Sequence, residues 1–591
     1  MKHLLVIFLV LVTTVAFSQD IKKRYNFGFE TSQNDGESDN WQLVPDDAQI
    51  SYDTNDKVQG KRAIVFTRKY YLTDSKDLIF NLCLYQKVLL PMPSNQISVS
   101  VFSKNIDHQY CWLKIAGFDK LGKIAVTDSI SIISDNWKEF TAKIAHKDIY
   151  LLSIEIRAKE QFEPFDRRKR ETKLWLDSVS VVCDGKNLIS INAPSNEFSE
   201  NEIADIKNNI PMNEDMVLPE NILNKIAEKK IIGFGETAHG SFETDKCKYN
   251  NIRRLISYHQ CRLVLFEMPI DLVAQYNLYI HGYEIDSTYC KFYPGQTKID
   301  TTYRKLSFLS AELERFVNWV KEFNAVHDDK VNIMGVDIHT IPESSNFMPP
   351  ELNRYISSMK LRSNTVDSLV SLINSGHYRR VVPLQYAQNK EKQLTTLMGR
   401  FNYMVLLQTL KSITDSALII PLFKSWSYWP IVHRDYILWQ NAKQVLENFT
   451  DGKSPVVICA HYAHLDKISS IHFNEVVTLG QYLTKAYGDS YCHIGILLGQ
   501  GEAGTRNVQN KKLVYQGLQL PVKGSLEYLA SLTNQECFYK AGNINTKIPL
   551  MIRRSAGVSS VFQFIPAYFP GSMDGFIYIR NSTPSFQLQV Q

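Results

Sequence analysis

The stretch Ile231-Ile232-Gly233-Phe234-Gly235-Glu236-Thr237-Ala238-His239-Gly240-Ser241-Phe242-Glu243 predicts a buried strand that ends in ionisable side chains. The apolar run stops at Glu236, His239 lies in the turn beyond it, and Glu243 opens a helix-like pattern. In an open parallel α/β sheet, ligands bind outside the carboxyl ends of the strands. The stretch therefore predicts an α/β domain with ionisable groups at the ligand-binding edge of its sheet.

Three later strand-like runs also end in ionisable groups: Glu267, Asp337, and His461 with His464 three residues further on. A single acidic residue after a strand is usually a helix cap or a solvated turn group. Four such strand ends are harder to explain by capping, and neighbouring parallel strands would bring them to one crevice. We therefore predict one catalytic site made of four residues, Glu236, His239, Glu267 and His461.

A histidine among carboxylates suits acid–base chemistry. The carboxylates should orient His239 and stabilise its cationic form. A general base needs a nitrogen that can take a proton from water and a carboxylate that fixes its tautomer. His461 would then either stabilise a developing oxyanion or protonate the leaving group. The sequence contains no Gly-x-Ser-x-Gly elbow, so water rather than a serine is the predicted nucleophile.

The chain has 591 residues, which is too long for one core and predicts at least two domains. Residues 19–185 alternate short apolar and polar runs between turn-rich clusters, which predicts an antiparallel β-sandwich. Residues 210–591 alternate strand-like and helix-like runs, which predicts an α/β domain with a mainly parallel sheet. Within it, residues from about 344 to 448 predict a helical insertion that covers the active edge of the sheet.

Residues 1–18 predict a secretory signal peptide. Lys2 and His3 precede an apolar run from Leu4 to Val12, and small residues lead to a plausible cleavage point after Ser18. The apolar run is too short to span a bilayer, and no later segment is apolar enough to do so. We therefore expect an exported protein, periplasmic or extracellular, without a transmembrane segment; an uncleaved membrane anchor is the alternative.

Charge and cysteine content restrict the partners and cofactors. The formal net charge is only +5 and no Lys/Arg-dense run occurs, so nucleic acid is not expected as a partner. The nine cysteines are scattered, with no CxxC pair, which argues against a disulfide framework and a zinc cluster. We expect a small-molecule ligand, no cofactor and no bound metal. The alternative is a divalent metal ion held by four residues, Glu236, His239, Glu267 and His461.

Several blocks of residues 19–185 occur in the order typical of one kind of sandwich. They are Asn26-Phe27-Gly28-Phe29-Glu30, Trp41, Gly60-Lys61-Arg62, Asp135-Asn136-Trp137 and Leu174-Trp175-Leu176-Asp177. The order resembles the galactose-binding-like jelly-roll modules that accompany many secreted enzymes. The resemblance implies glycan binding, sometimes with a structural calcium ion; a stabilising or docking module without a ligand is the alternative.

The second domain resembles the erythromycin esterase family over residues 210–584. The resemblance rests on Gly235-Glu236-Thr237-Ala238-His239-Gly240-Ser241-Phe242-Glu243, Phe266-Glu267-Met268, Met334-Gly335-Val336-Asp337, Arg434-Asp435, Ala460-His461-Tyr462-Ala463-His464 and Leu479-Gly480-Gln481. It implies that the histidine at 239 activates water against an ester, with Glu236, Glu267 and His461 completing the site. We predict four supporting residues, Glu243, Lys248, Asp337 and His464.

Together these patterns predict an exported hydrolase that cleaves a carboxylic ester or lactone with water activated by His239. A macrolide antibiotic is one substrate that the resemblance implies. Two positions depart from the family pattern: Lys248 replaces a common arginine and so lacks its planar geometry, and Tyr462 replaces asparagine. Two alternatives stay open, a metal-dependent hydrolase using the same cluster and an inactive surface protein that binds glycans.

Overall fold

The computed structural model describes a defined part of the chain. The described residues are 25–30, 41–44, 50–69, 79–106, 110–119, 122–161, 171–190, 200–207, 209–283, 310–337, 352, 355–357, 359–374, 382–424, 429–450, 452–468, 477–506, 513–533, 535–540, 550–553, 564–567, 569 and 571–585. The predicted signal peptide and the start of the predicted insertion lie outside them. The chain divides into two compact units at residue 195. The predicted domain limits at 185 and 210 stay predictions.

The first unit is an antiparallel β structure. Its strands are β1 (Gln42–Val44), β2 (Ile50–Asp53), β3 (Ala63–Lys69), β4 (Ile79–Ile106), β5 (Tyr110–Phe118), β6 (Ile124–Ser131), β7 (Lys138–Gln161), β8 (Glu171–Cys183) and β9 (Lys186–Asn187). The path is β2-β3-β8-β4-β7-β5-β6, with β1 on β4 and β9 on β8. A short 3₁₀ turn, Leu188–Ser190, follows β9.

Two long bent strands make this unit a sandwich. β4 and β7 pair along both of their halves, and the register shifts between Leu89 and Ser94. The first half of β4 also pairs with β1 and its second half with β8, so each half belongs to a different layer. One hydrophobic cluster contains Val88 from one layer together with Val99 and Leu176 from the other. The predicted antiparallel sandwich is confirmed, with two long strands in place of several short ones.

The second unit contains a mostly parallel sheet. Its strands are β10 (Ile210–Pro211), β11 (Ile231–Glu236), β12 (Leu263–Pro269), β13 (Asn332–Asp337), β14 (Val456–His461), β15 (Tyr491–Arg506), β16 (Leu513–Gly517), β17 (Cys537–Lys540), β18 (Leu550–Arg553), β19 (Phe564–Ala567) and β20 (Gly575–Ser582). The path is β10-β17-β20-β15-β11-β14-β12-β13, with β16 on β15 and a separate β18-β19 pair. The pairs among β11 to β15 and β20 are parallel, which confirms the predicted sheet.

Helices cover both faces of this sheet. Their bounds are α1 (Glu200–Lys207), α2 (Glu220–Ala227), α3 (Phe242–His259), α4 (Ile270–Ile280), α5 (Ala311–Val326), α6 (Asn364–Asn374), α7 (Val382–Asn389), α8 (Glu391–Lys424, kinked at Gly399), α9 (Trp429–Phe449), α10 (Tyr462–Leu465), α11 (Leu479–Tyr487) and α12 (Leu526–Ser531); a 3₁₀ turn spans Gly488–Ser490. No helix in the described part of the chain combines the length and apolar character needed to cross a membrane.

The central strands are buried on both faces, which explains their continuous apolar sequences. Every residue of β11, β12 and β14 is buried. Successive residues point to opposite faces, so Ile231 packs in one core and Ile232 in the other. Helices α2, α3 and α5 pack on the face of Ile232, and α6 to α9 pack on the face of Ile231.

Where the structure describes the predicted insertion, it is helical. Its described residues in α6 to α9 mostly join the core on one face of the sheet. Among those described residues, Arg434 at the beginning of α9 reaches the carboxyl ends of the strands. The eight cysteines within the described residues are free, buried thiols, and Cys290 lies outside those residues.

Candidate active site

The strand register brings the predicted residues to one edge of the sheet. Glu236 is the register partner of His461 on the adjacent parallel strand. Phe266 is the partner of Cys459, so Glu267 lies at the same level one strand further along. Asp337 ends the next strand, opposite Pro269. The sequence prediction that these strand ends are parallel neighbours is therefore confirmed.

His239 lies in the turn between β11 and α3. Its Nδ1 is 2.6 Å from Glu236 Oε1. A carboxylate can only accept, so Nδ1 carries the proton and Nε2 carries the lone pair. Gly240 has a φ of 76°, and a Cβ there would lie 1.9 Å from the carbonyl oxygen of Gly504. Only glycine fits this turn, after which the Ser241 hydroxyl caps α3 by accepting from Thr244 N at 3.2 Å.

The carboxylate of Glu236 is held between two donors, Lys248 and His239. Lys248 Nζ donates to Glu236 Oε2 at 2.5 Å and lies 3.1 Å from Asp245 Oδ1. Burial opposes the charged form of Glu236, but the charge of Lys248 and the bond from His239 outweigh it and lower its pKa to about 2. Burial raises the pKa of Asp245, an effect that Lys248 partly offsets. Glu236 is therefore an ionised acceptor that orients His239.

The surroundings of Glu236 favour its charged form, whereas those of His461 favour its neutral ring. Its ring centroid is 5.0 Å from that of His239. Ala463 N donates to His461 Nδ1 at 3.1 Å, so Nδ1 carries no proton and the neutral ring is protonated at Nε2. Burial, together with the nearby imidazoles of His239 and His464, lowers the pKa of His461 to about 3. Its buried Nε2 has no hydrogen-bond partner among the described residues. The ring thus offers a neutral donor to a ligand.

Glu267 connects His461 to a second charged network. Glu267 Oε2 accepts from the backbone N of His461 at 2.7 Å, and Oε1 accepts from Arg434 Nη2 at 2.7 Å. His464 Nε2 is 3.1 Å from the same Oε1. Burial favours the neutral acid, but the charges of His464 and Arg434 hold the pKa of Glu267 well below its ordinary value. Both oxygens of Glu267 are therefore occupied in holding other groups.

Two further carboxylates complete this network. Arg434 Nε donates to Asp337 Oδ1 at 3.2 Å, and Arg434 Nη2 donates to Oδ2. His464 Nδ1 is 2.9 Å from both oxygens of Asp435. Burial opposes the imidazolium, but Asp435 and Glu267 raise the pKa of His464 to about 10. Since a charged His464 cannot accept, its Nε2–H donates to Glu267, and the 2.9 Å approach of Arg434 Nη1 is a contact between like charges.

The structure brings together most of the predicted site residues, though not all. It groups seven of them, Glu236, His239, Lys248, Glu267, Asp337, His461 and His464. Glu243 is placed elsewhere: its carboxylate accepts from Thr583 N and Thr583 Oγ1, each at 2.7 Å. Sequence reasoning missed Asp245, Arg434 and Asp435 as site residues. The signal for Asp245 was its spacing of three from Lys248, which places both on one helix face.

A metal ion does not fit this donor set. Within the described ranges no group of three or more His, Cys, Asp or Glu side chains is arranged to hold a metal ion. The carboxylates of Glu236 and Glu267 already bind the cations of Lys248 and Arg434. A metal ion would have to displace these ammonium and guanidinium groups.

A cavity opens between the two networks. It is lined by Glu236, Gly240, Asp245, Lys248, Tyr249, Phe266, Glu267, Met268, Cys459, Ala460 and His461. The fold and this cluster define a class of protein: an α/β protein whose parallel sheet carries a histidine–carboxylate crevice at its carboxyl edge.

Comparison with known proteins identifies the family. Residues 256–582 match the family model described as erythromycin esterase. Because this match spans more than half of the 591 residues, the chain belongs to the erythromycin esterase family and is an ester-hydrolysing enzyme. The sequence is 22% identical over 411 residues to an erythromycin esterase type II from Escherichia coli, covering 61% of this chain and 91% of that protein.

Solved structures show likeness in the fold. A crystal structure of a Bacillus cereus protein has a TM-score of 0.51 at 16% identity and covers 66% of this chain and 100% of its own. A carbohydrate-binding module in complex with β-1,4-galactotriose has a TM-score of 0.20 at 17% identity and covers 27% of this chain and 96% of its own. A TM-score that low leaves the ligand of the sandwich open.

Proposed function

We propose that this esterase hydrolyses a carboxylic ester or lactone with water that His239 deprotonates. The observation that carries the proposal is the 2.6 Å contact between His239 Nδ1 and Glu236 Oε1, which directs the basic Nε2 away from the carboxylate. A histidine whose second ring nitrogen is fixed by a carboxylate is a common general base in such reactions. Lys248 keeps Glu236 ionised. Glu236 then holds the His239 ring through Nδ1, and Nε2 stays available to accept a proton.

The proposed reaction uses two histidines in different roles. The water oxygen attacks the carbonyl carbon as its proton passes to His239 Nε2, and the carbonyl π electrons move to the oxygen. The neutral Nε2–H of His461 donates to that oxyanion. When the tetrahedral intermediate collapses, the C–O bond to the alcohol breaks, and the proton on His239 passes to the departing alkoxide. Between the two alternatives for His461, its low pKa and protonated Nε2 favour the oxyanion role.

The proposed chemistry uses no metal and no cofactor. Glu236 and Glu267 each have a cationic side chain within 2.7 Å, which supplies the positive charge that a metal would otherwise bring. This pairing supports a metal-free hydrolase over the metal-dependent alternative.

Hydrolysis of a panel of esters and lactones tests this function. The purified full chain is assayed against short-chain para-nitrophenyl esters, acylated sugars, simple lactones and macrolides, with His239→Ala beside it. We expect hydrolysis of at least one ester or lactone by the wild type and little by the variant. Macrolides are one candidate substrate among these. Failure to hydrolyse any member, or equal rates in both proteins, would contradict the proposal.

Export and glycan binding are proposed for the N-terminal part. The pattern of residues 1–18 supports export, and mature protein recovered outside the cytoplasm with its start after Ser18 would bear it out. Tyr110 and Trp112 support glycan binding, because their rings stack 5.8 Å apart on β5 and Tyr110 is 44% exposed. A glycan array probed with the full chain and with Trp112→Ala tests this proposal; no bound glycan would contradict it.

A further inference from the structure

The turn that carries His239 is bonded to the last described segment of the chain. Phe242 N donates to the carbonyl oxygen of Thr583 at 2.9 Å, and Ser585 N donates to that of Gly240 at 2.8 Å. Ser241 and Pro584 form an antiparallel bridge between these two bonds. We call Ser582–Ser585 the C-terminal clamp. It forms a short ladder with the residues that directly follow His239.

The carboxylate of Glu243 also binds the C-terminal clamp. Its Oε2 accepts from Thr583 N and its Oε1 accepts from Thr583 Oγ1, both at 2.7 Å. Hydrogen bonds to a carboxylate are stronger than neutral ones. Both carboxylate oxygens of Glu243 therefore bind one clamp residue, Thr583. This explains why the Glu243 side chain lies away from the histidine cluster.

The clamp itself is anchored in the sheet. Ser582 is the last residue of β20, pairs with Gly501 of β15, and donates its hydroxyl to the carbonyl oxygen of Glu502 at 2.8 Å. Gly504 N donates to the same Gly240 oxygen that Ser585 bonds, at 2.8 Å. The carbonyl oxygen of Gly240 is thus bonded both by β15 and by the segment that follows β20. Because β15 lies between β20 and β11 in the sheet, the clamp reaches past a neighbouring strand to do this.

We infer, on the role proposed for His239, that the C-terminal clamp positions that histidine for catalysis. His239 lies in the turn between the end of β11 at Glu236 and the start of α3 at Phe242, and the clamp binds the residues that directly follow it. A displacement of about 1 Å at a reacting group can lower a rate on the order of 100-fold. Glu243 and Thr583 are accordingly positioning residues, which touch no reacting atom and act through Gly240 and Phe242.

Two conservative variants test the clamp. Glu243→Gln removes one acceptor and Thr583→Val removes the hydroxyl donor, while Thr583→Ser keeps that donor. Thr396→Val is the matched control, because Thr396 Oγ1 donates to the carbonyl oxygen of Lys392 at 2.8 Å on an exposed helix. kcat and KM are measured on the best ester of the panel, together with the thermal midpoint and the proton NMR signal of His239 Nδ1–H.

We expect kcat to fall on the order of 10-fold in Glu243→Gln and Thr583→Val, with KM unchanged, because only the base is displaced. The Nδ1–H signal should broaden in the same two variants, while Thr583→Ser and Thr396→Val stay at wild-type kcat. Wild-type kcat in both clamp variants, with His239→Ala inactive, would contradict the positioning role of the clamp and leave the proposed function intact. An active His239→Ala would overturn the proposed function itself.

Discussion

Three histidines of the site differ because their immediate surroundings differ. His461 accepts a backbone N–H, and burial together with the nearby charged His464 keeps its ring neutral. His464 lies between Asp435 and Glu267, whose charges keep its ring protonated. His239 has one carboxylate on Nδ1. The same residue type thus supplies a neutral donor, a fixed cation and, in the proposed mechanism, a base.

The role of His461 predicts a difference between two substitutions. His461→Ala should lower kcat by about 10²–10³-fold, because it removes an oxyanion donor. His461→Gln should keep part of the activity, because its amide N–H can still donate. Since the pKa of His461 is about 3, the profile of kcat from about pH 5 to about pH 8 should have the same shape in His461→Gln and wild type. A wild-type rate in His461→Ala would refute this role.

The buried pair of Lys248 and Glu236 predicts a large loss of stability. Their side chains are only 7% and 8% exposed, so Lys248→Met leaves a buried carboxylate with one cationic partner fewer. We expect the free energy of unfolding to fall by about 3–5 kcal/mol, measured by denaturant titration. The control is Lys443→Met, whose exposed pair with Glu447 should contribute less than about 0.5 kcal/mol. Equal decreases in the free energy of unfolding in the two variants would contradict a stabilising role of the buried Lys248–Glu236 pair.

At the scale of elements, the site is the meeting point of strand ends, one turn and three helices. β11, β12, β13 and β14 supply carboxylates and His461, and the turn after β11 supplies His239. The helices α3, α9 and α10 supply Lys248, Arg434 and His464. Strand ends could be predicted, because an apolar run that stops at Glu236 or Glu267 marks the edge of a parallel sheet. The position of Arg434 could not be predicted, because its bonds to Asp337 and Glu267 depend on how α9 packs on the sheet.

The same contrast holds in the sandwich. The sequence of residues 19–185 predicts short strands, whereas the long strand β4 continues through Pro91 and Pro93. In the structure they fall between Leu89 and Ser94, where the register with β7 shifts, so the strand bends there instead of ending. Proline cannot donate to a strand ladder and is tolerated at bulges. Whether such an interruption becomes a loop or a bend depends on the partner strand, which the local sequence does not specify.

The contact between Asp435 of α9 and His464 of α10 predicts that the free energy of unfolding depends on pH. His464 titrates near 6.5 when unfolded, and the raised value of about 10 in the folded chain means that its contribution is complete below about pH 6.5. The contribution is lost as pH rises from about 6.5 to about 10, because the unfolded chain then binds fewer protons. Asp435→Asn should flatten this fall in the free energy of unfolding. An unchanged slope in that variant would contradict the His464–Asp435 pairing as its source.

At the scale of the whole molecule, the chain joins an antiparallel sandwich to a family esterase domain. The sequence blocks of the second unit were sufficient to predict its family and its sheet, since the strand ends carry the chemistry. The substrate was not predictable, because the walls of a binding pocket come from packing rather than from local patterns.

The proposed hydrolysis without a metal ion predicts that activity resists chelators. The purified full chain, dialysed against EDTA and assayed in its presence, should keep its kcat on the best ester of the panel. The reason is that Lys248 and Arg434 occupy the carboxylates that a metal would need. Loss of activity that added zinc or manganese restores would contradict this account of the donor set.

Chemical rescue of the histidine base tests the central proposal most directly. Truncation of His239 to Ala removes the nitrogen that accepts the proton from water, and imidazole added to the solution can replace it. We predict that His239→Ala turns over the best ester at least ~10²-fold more slowly than wild type, and that added imidazole raises its rate. A His239→Ala variant that hydrolyses the ester at the wild-type rate without imidazole would contradict the proposed role of His239.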